Sequence, residues 1–327
     1  MDRLIQALRA AGEPTRLRIL VMLEGGSELT VTEICRVLGQ SQPRVSRHLK
    51  LLCDAGLLAR QAEGTSAYYR HARSPFARTF LSGLDPLVTD DAAGTITRDE
   101  AQLAAIRAER AELAARSFER IALEEEVLRG RAVNQPAVEA AMVALAAEQP
   151  IERLLDIGTG TGRVLELFAP HVRAGVGVEL SREMLNLART RLEANHLDHL
   201  SVRYGNAYHL DVEMGSVGLA VLHHVLHFLD EPARAVEQAA RAVWAGGRLL
   251  IVDFAPHHLE ALRTEHGHRR LGFTDAEVVH WCTAAGMASV TVSHITLPDP
   301  GPDSLTVTVW VATQAADAPV VRNLEVA

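Results

Sequence analysis

The sequence predicts an α/β chain in two parts: a short helical module closed by a β-hairpin, then a larger body built on a mostly parallel sheet that ends in an antiparallel hairpin. Three observations predict it. Apolar residues recur at helical spacing through residues 1–60. From residue 153 onward, short strand-like runs alternate with helix-like ones, the pattern of a parallel sheet covered on both faces. The last two strand-like runs are joined only by the turn LPDPGPDS, too short for a crossover helix, so they should pair antiparallel. A chain of 327 residues, 48% hydrophobic and 23% charged, has the length for two ordinary domains and can bury a sizeable core.

The elements of the front module follow in order. Leu4, Ile5 and Leu8, then Leu17, Ile19, Leu20 and Leu23, mark two helices, with Glu13, Pro14 and Thr15 opening the second. A third helix, Thr30 to Leu38, opens on a capping-box pattern, Thr30 with Glu33 three residues on, and stops at Gly39, which can take the left-handed turn of a helix exit. The fourth, QSQPRVSRHLKLLCDAG, places Val45, Leu49 and Leu52 on one face and Ser41, Gln42, Arg44, Ser46, Arg47, His48 and Lys50 around the rest. One helix braces while the next offers polar and cationic side chains to a major groove, a helix-turn-helix pattern. Leu57–Arg60 and Ala67–Arg70 flank Gln61–Ser66, with Gly64 at the bend, and read as a hairpin wing. Charge agrees with this. Residues 1–80 carry 12 Lys+Arg against 7 Asp+Glu, while the remainder carries 21 against 34, so a basic front end sits on an acidic body. A merely solvated helix face would show the same cations; the helix pair and wing together point to DNA.

EPTRLRIL, SQPRVSRHLKLLCDAGLL and a wing ending in YYR resemble the ArsR/SmtB winged helix-turn-helix regulators over residues 1–80. The resemblance implies a homodimer that binds an imperfect palindromic operator in double-stranded DNA. One departure is informative. Where metal-sensing members carry an ELCVCDL-type thiolate motif, this chain reads Glu28-Leu29-Thr30-Val31-Thr32-Glu33-Ile34, and threonine hydroxyls are poor ligands for soft metals. The three cysteines, Cys35, Cys53 and Cys282, are scattered and never spaced as CxxC, so neither a disulfide framework nor a cysteine-rich metal site is expected.

After Pro75 come Phe76–Val88, the polar stretch Thr89–Thr97 and an Ala/Glu/Arg-rich run to Arg131, expected to form solvated or dimer-forming helix rather than core. In the body, candidate strands are Arg153–Ile157, Ala174–Glu179, Leu200–Tyr204, Gly218–Leu222, Leu249–Phe254, Ala288–Thr296 and Leu305–Thr313. The first runs into Asp156-Ile157-Gly158-Thr159-Gly160-Thr161-Gly162, whose glycines allow a tight turn and close backbone approach to a ligand just before a helix. Glu179 ends the second strand at the distance where an acid grips ribose hydroxyls.

LLDIGTGTGRVLELF, VGVELSREML and GGRLLIVDF resemble the class I S-adenosylmethionine-dependent methyltransferases over residues 136–315, whose Rossmann-like sheet ends in just such a hairpin. The resemblance implies that Asp156, Gly158, Thr159, Gly160 and Gly162 line the methionine moiety, that Glu179 holds the ribose, that Leu180 and Met184 lie near the adenine, and that Asn206 and Ala207 stand where the family usually has an acid by the adenine amino group. His223 joins this cofactor-binding set. No catalytic residue is assigned: His223, His224 and His227 follow the fourth strand as candidate general bases, or line the pocket without doing chemistry. Neither an Asn-Pro-Pro-Tyr motif nor a thiol placed for cytosine or arsenic methylation occurs. His257, His258, His266 and His268 with Arg269-Arg270 invite a metal reading, but sequence fixes no ligand geometry and no metal is assigned.

The expected layout is a DNA-binding domain at 1–80, a helical connector and dimerisation region at 81–135, the methyltransferase-like domain at 136–315 and a tail at 316–327. The fusion resembles ArsR-family regulators of the methionine cycle whose second domain senses S-adenosylhomocysteine or S-adenosylmethionine, the alternative being an active methyltransferase with an appended DNA-binding domain. No apolar run is long enough to span a bilayer and the N-terminus lacks a signal-peptide core, so a cytoplasmic protein without membrane contact is expected.

Overall fold

The computed structural model describes residues 1–24, 27–63, 66–84, 94–110, 112, 134–146, 150–296 and 304–316. Internal contacts divide the chain into two compact units, residues 1–120 with 182–204 and residues 121–181 with 205–327.

The front of the first unit runs α1 (Asp2–Ala11), α2 (Pro14–Met22), β1 (Leu29–Thr30), α3 (Val31–Leu38), α4 (Gln42–Asp54), β2 (Leu58–Glu63), β3 (Ser66–His71) and α5 (Pro75–Ser82). Each start has a local cause. Glu13 caps α2 by accepting from the Arg16 N–H, with Pro14 in the first turn where its missing donor costs nothing. Thr30 and Glu33 close the expected capping box on α3, and Gly39 ends that helix at φ 63°. On α4, Val45, Leu49 and Leu52 are fully buried, each contributing roughly 1.5–3 kcal/mol of apolar burial. The wing pairs antiparallel from Leu58↔His71 to Glu63↔Ser66, longer than the expected strands, and β1 adds a third strand against β3.

The helix marked by Leu4, Ile5 and Leu8 is present, but its buried residues are Ala7, Ala10 and Ala11, and the three larger ones are exposed. One expectation fails here: the connector is not wholly solvated. Residues 95–110 form a helix, α6, that buries Leu103 and Ile106 in the core of this unit and pairs Asp99 with Arg18 at 2.6 Å and Arg110 with Glu33 at 2.7 Å. Its apolar positions are few but stand three apart, on one face. The rest of the expected connector helix, 113–131, lies outside the described residues.

The body continues with α7 (Gln135–Ala146), β4 (Ile151–Ile157), α8 (Arg163–Phe168), β5 (Val172–Glu179), α9 (Arg182–Ala194), β6 (Leu200–Tyr204), β7 (Val217–His223), α10 (Pro232–Ala242), β8 (Val243–Phe254), α11 (Glu260–His266), α12 (Asp275–Ala284), β9 (Met287–Ile295) and β10 (Val307–Gln314). The seven strands are ordered β6-β5-β4-β7-β8-β10-β9. β5, β4, β7 and β8 run parallel, and β10 pairs antiparallel with both β8 and β9. This is the class I methyltransferase sheet with its terminal hairpin. Its central strands are buried on both faces, which is why they read as continuous apolar runs. Among the described residues no helix is long and apolar enough to cross a membrane.

Candidate functional site

Strand order reverses on either side of β4, and the carboxyl ends of β4, β5 and β7 share one edge of the sheet, the place where open α/β sheets take ligands. At that edge the chain leaves β4 through Gly158–Gly162. The Gly158 and Thr159 N–H groups donate to the Val178 carbonyl at 2.7 and 3.1 Å, bending the loop back over β5. Gly158, Gly160 and Gly162 all have positive φ, where L side chains are strained. A Cβ on Gly158 would sit 2.4 Å from a Val225 methyl, whereas one on Gly160 would meet nothing within 4 Å. The loop is thus tight against the protein at Gly158 and open at Gly160.

Glu179 closes the loop from the next strand. Its carboxylate accepts from Gly160 N–H at 3.1 Å and from Leu180 and Ser181 N–H at 2.8 Å each. Asp156 lies beneath, 1% exposed, accepting from the Thr159 hydroxyl through Oδ2, while its Oδ1 is buried without a partner among the described residues. Burial pushes the Asp156 carboxyl up to about 7 against the lowering effect of the Thr159 hydrogen bond, and the charge of Glu179 adds to the rise. A Cβ at Gly177 would fall 2.6 Å from the Thr159 hydroxyl, so a glycine in β5 is what lets Thr159 reach Asp156.

Asp156, Gly158, Thr159, Gly160, Gly162 and Glu179 therefore come together as one loop site. Of the remaining expected cofactor residues, Leu180 is exposed beside Glu179 and Met184 is half-buried in the first turn of α9. Asn206 is exposed, with its side-chain oxygen accepting from Tyr208 N–H at 2.9 Å, a local turn that fixes its orientation, and Ala207 is half-buried beside it.

Past β7 the structure gathers histidines. His223 ends the strand and His224 follows at φ 52°, a left-handed conformation uncommon outside glycine. His227, on the short turn Leu226–Phe228, sets Nδ1 2.7 Å from Asp253 Oδ1 at the end of β8, both side chains nearly inaccessible. Burial alone would raise the Asp253 carboxyl, but its pairing with His227 outweighs this and holds it below the usual range. Burial pushes His223 down to about 4, His224 well below the usual imidazole range and His268 to about 3. Asp253 was missed in the sequence. Its only signal is an acid ending the apolar run LLIVDF, whose meaning depends on β8 lying beside β7.

On the front unit, Ser41, Gln42, Arg44, Arg47 and Lys50 are exposed on α4, and Ser46 and His48 are half-buried. Lys50 pairs with Asp54 at 2.6 Å, and His48 turns inward to stand 3.4 Å from Glu13. Arg44 and Arg47 carry no ion pair among the described residues, so their guanidinium groups are available to an incoming anion. The Thr30 hydroxyl, one of the two replacing thiolates, is spent on capping α3. Burial raises all three thiols, Cys282 to about 12, so none is an activated thiolate.

Comparison with known proteins agrees with both halves. Residues 13–60 match the family model for bacterial regulatory proteins of the arsR family, and residues 155–251 match a methyltransferase domain. The chain is 42% identical to the arsenical resistance operon repressor of Escherichia coli over 66 residues, 20% of this chain and 56% of that protein. It is 28% identical to the uncharacterized methyltransferase YcgJ of Bacillus subtilis over 132 residues, 37% of this chain and 52% of that one. With the HTH-type transcriptional regulator MJ1325 of Methanocaldococcus jannaschii it shares 35% identity over 68 residues, 21% of this chain and 76% of the regulator. The chain spans about half the length of the first curated relatives it matches. Through its N-terminal domain the chain belongs to the arsR family of bacterial regulatory proteins, and it carries a class I methyltransferase domain behind it.

Proposed function

We propose that this is a dimeric transcriptional regulator whose methyltransferase-like domain binds S-adenosylhomocysteine or S-adenosylmethionine as an effector that sets affinity for a palindromic operator, with methionine-cycle genes as its targets. In this account residues 1–80 read DNA, 81–135 connect the parts and build the dimer, and 136–315 hold the effector. One observation carries it: an arsR-type helix with two unpaired arginines and a glycine loop closed by Glu179 occur in one chain. The loop fits such a ligand. Among the described residues nothing stands within 4 Å of a Cβ placed on Gly160, and Asp156 Oδ1 is a buried acceptor without a partner. Glu179 would hold the ribose hydroxyls, and Asp156 with its neighbouring loop glycines the methionine end. The three exposed apolar residues of α1 suit burial against a second copy. Calorimetric titration of the full chain with each ligand tests the proposal: both should bind, and Glu179→Ala should bind much more weakly. Binding of neither ligand, or equal binding by the variant, contradicts it.

A second reading, an active methyltransferase with an attached DNA-binding domain, is favoured by the buried His227–Asp253 pair. A carboxylate-oriented imidazole past the fourth strand is suited to take a proton from an acceptor. In that case operator affinity would not respond to the ligand.

A further inference from the structure

The imidazole cluster beyond β7 holds more nitrogen than its hydrogen bonds use. His223 Nε2, His224 Nδ1, His257 Nε2 and His268 Nδ1 are all buried without a hydrogen-bond partner among the described residues. Such atoms are rare in folded chains, and each calls for an explanation. His257 is set apart: its Nδ1 accepts from Leu259 N–H at 3.3 Å, so Nε2 carries the hydrogen and offers no lone pair. His224 belongs to the one convergent set among the described residues. His224, His227 and Asp253 each place a ligand-type atom within 4.8 Å of the other two. His268 stacks on His227 with ring centroids 4.1 Å apart, and Phe254 lies against both His224 and His227.

We propose that His224, His227 and Asp253 form a binding site for a divalent transition-metal cation of the zinc class. Two imidazoles and a carboxylate suit such an ion, whereas calcium and magnesium favour all-oxygen shells and copper(I) favours thiolates. His227 is already oriented as a ligand. Its Nδ1 stands 2.7 Å from Asp253 Oδ1, so a cation that displaces the shared hydrogen, with the imidazole proton carried on Nε2 instead, meets both ligand atoms at once, and Asp253 is itself fixed by Phe254 N–H at 2.8 Å. His224 also holds a left-handed backbone that aims its ring into the cluster, although the ring forms no hydrogen bond there. Three protein ligands leave at least one coordination position for water or for a substrate atom. The site stands independently of the thiolate motif that this chain lacks and does not rest on the proposed effector.

The test uses the full-length chain, stripped with a chelator and titrated with Co²⁺ alone, followed by visible d–d absorption, and with Zn²⁺ alone, followed by thermal melting. His224→Gly removes one ligand while suiting the backbone conformation, so it should fold at least as well as the parent without metal. His258→Ala controls for surface histidines. Expected are a saturable d–d band and a Zn²⁺-dependent rise in Tm in the parent and in His258→Ala, and affinity at least about 10–100-fold weaker in His224→Gly. Absence of the band in the parent, or an unchanged band in a folded His224→Gly variant, overturns the site and leaves His227–Asp253 as a hydrogen-bonded pair only.

Discussion

Glu179 is the residue on which the ligand site turns, because one carboxylate holds three backbone N–H groups of two different turns. Its loss should loosen the glycine loop as well as remove the proposed ribose contact. At Gly160 the reason for glycine is different: space is open, but φ is 52°. Gly160→Val should therefore fill the ligand's position and also strain the loop by about 1–3 kcal/mol, abolishing ligand heat in calorimetry while lowering Tm modestly. Asp156 gives a pH signature. Its carboxyl, raised from 3.8 to about 7, binds its proton more tightly folded than unfolded. Its contribution to stability is thus present at low pH and is lost as pH rises from about 4 to 7, with a slope of at most about 1.4 kcal/mol per pH unit. Denaturant melts of the parent and Asp156→Asn across that range should show the slope only in the parent. Ionisation of Asp156 also favours a cationic sulfonium over a neutral thioether, so the affinity ratio of S-adenosylmethionine to S-adenosylhomocysteine should grow as pH rises through about 7.

At the level of elements, the proposed DNA-reading role of α4 rests on what its described neighbours leave unpaired. Lys50 and His48 already have carboxylate partners, while Arg44 and Arg47 do not. Arg44→Ala or Arg47→Ala should cost about 1–3 kcal/mol and relax base preference if the side chain reads a guanine edge; a phosphate contact would weaken all duplexes alike and flatten the salt slope. Competition binding against random duplex at several salt concentrations separates the two, and unchanged affinity in both variants would show α4 to be only a solvated face. Local signals made much of this legible in the sequence. The capping box at Thr30–Glu33, the exit at Gly39 and the glycine loop are set by residues within a turn of one another, and the central strands by unbroken apolar runs. What escaped depends on distant neighbours. β8 begins at Val243 rather than Leu249 because Val243 pairs with Val217 ahead of a register shift, with pairing to β7 resuming at Arg248 past Gly246-Gly247. The inner face of α1 is alanine because of what packs on it, and Asp253 meets His227 only through strand order.

At the scale of the whole molecule, the account needs two copies and one equilibrium. The exposed stripe Leu4, Ile5 and Leu8 should be covered in the dimer, so Leu8→Glu is expected to shift the sedimenting species toward monomer and to lose operator binding with it. An effector can move operator affinity only by its differential affinity for two states of that dimer. S-adenosylmethionine and S-adenosylhomocysteine differ by one methyl and one charge on sulfur, and the buried Asp156, whose carboxyl is pushed up to about 7, lies under the loop that would receive them. The most direct test is a gel-shift titration of the full chain on its operator at fixed salt, with each ligand at saturation and with none. The account predicts operator affinities that differ by at least about tenfold between the two ligands, roughly 1.4 kcal/mol, and a difference that vanishes in Glu179→Ala while ligand-free DNA binding persists. Equal operator affinity with either ligand or none would contradict the effector role and leave methyl transfer as the function of the second domain.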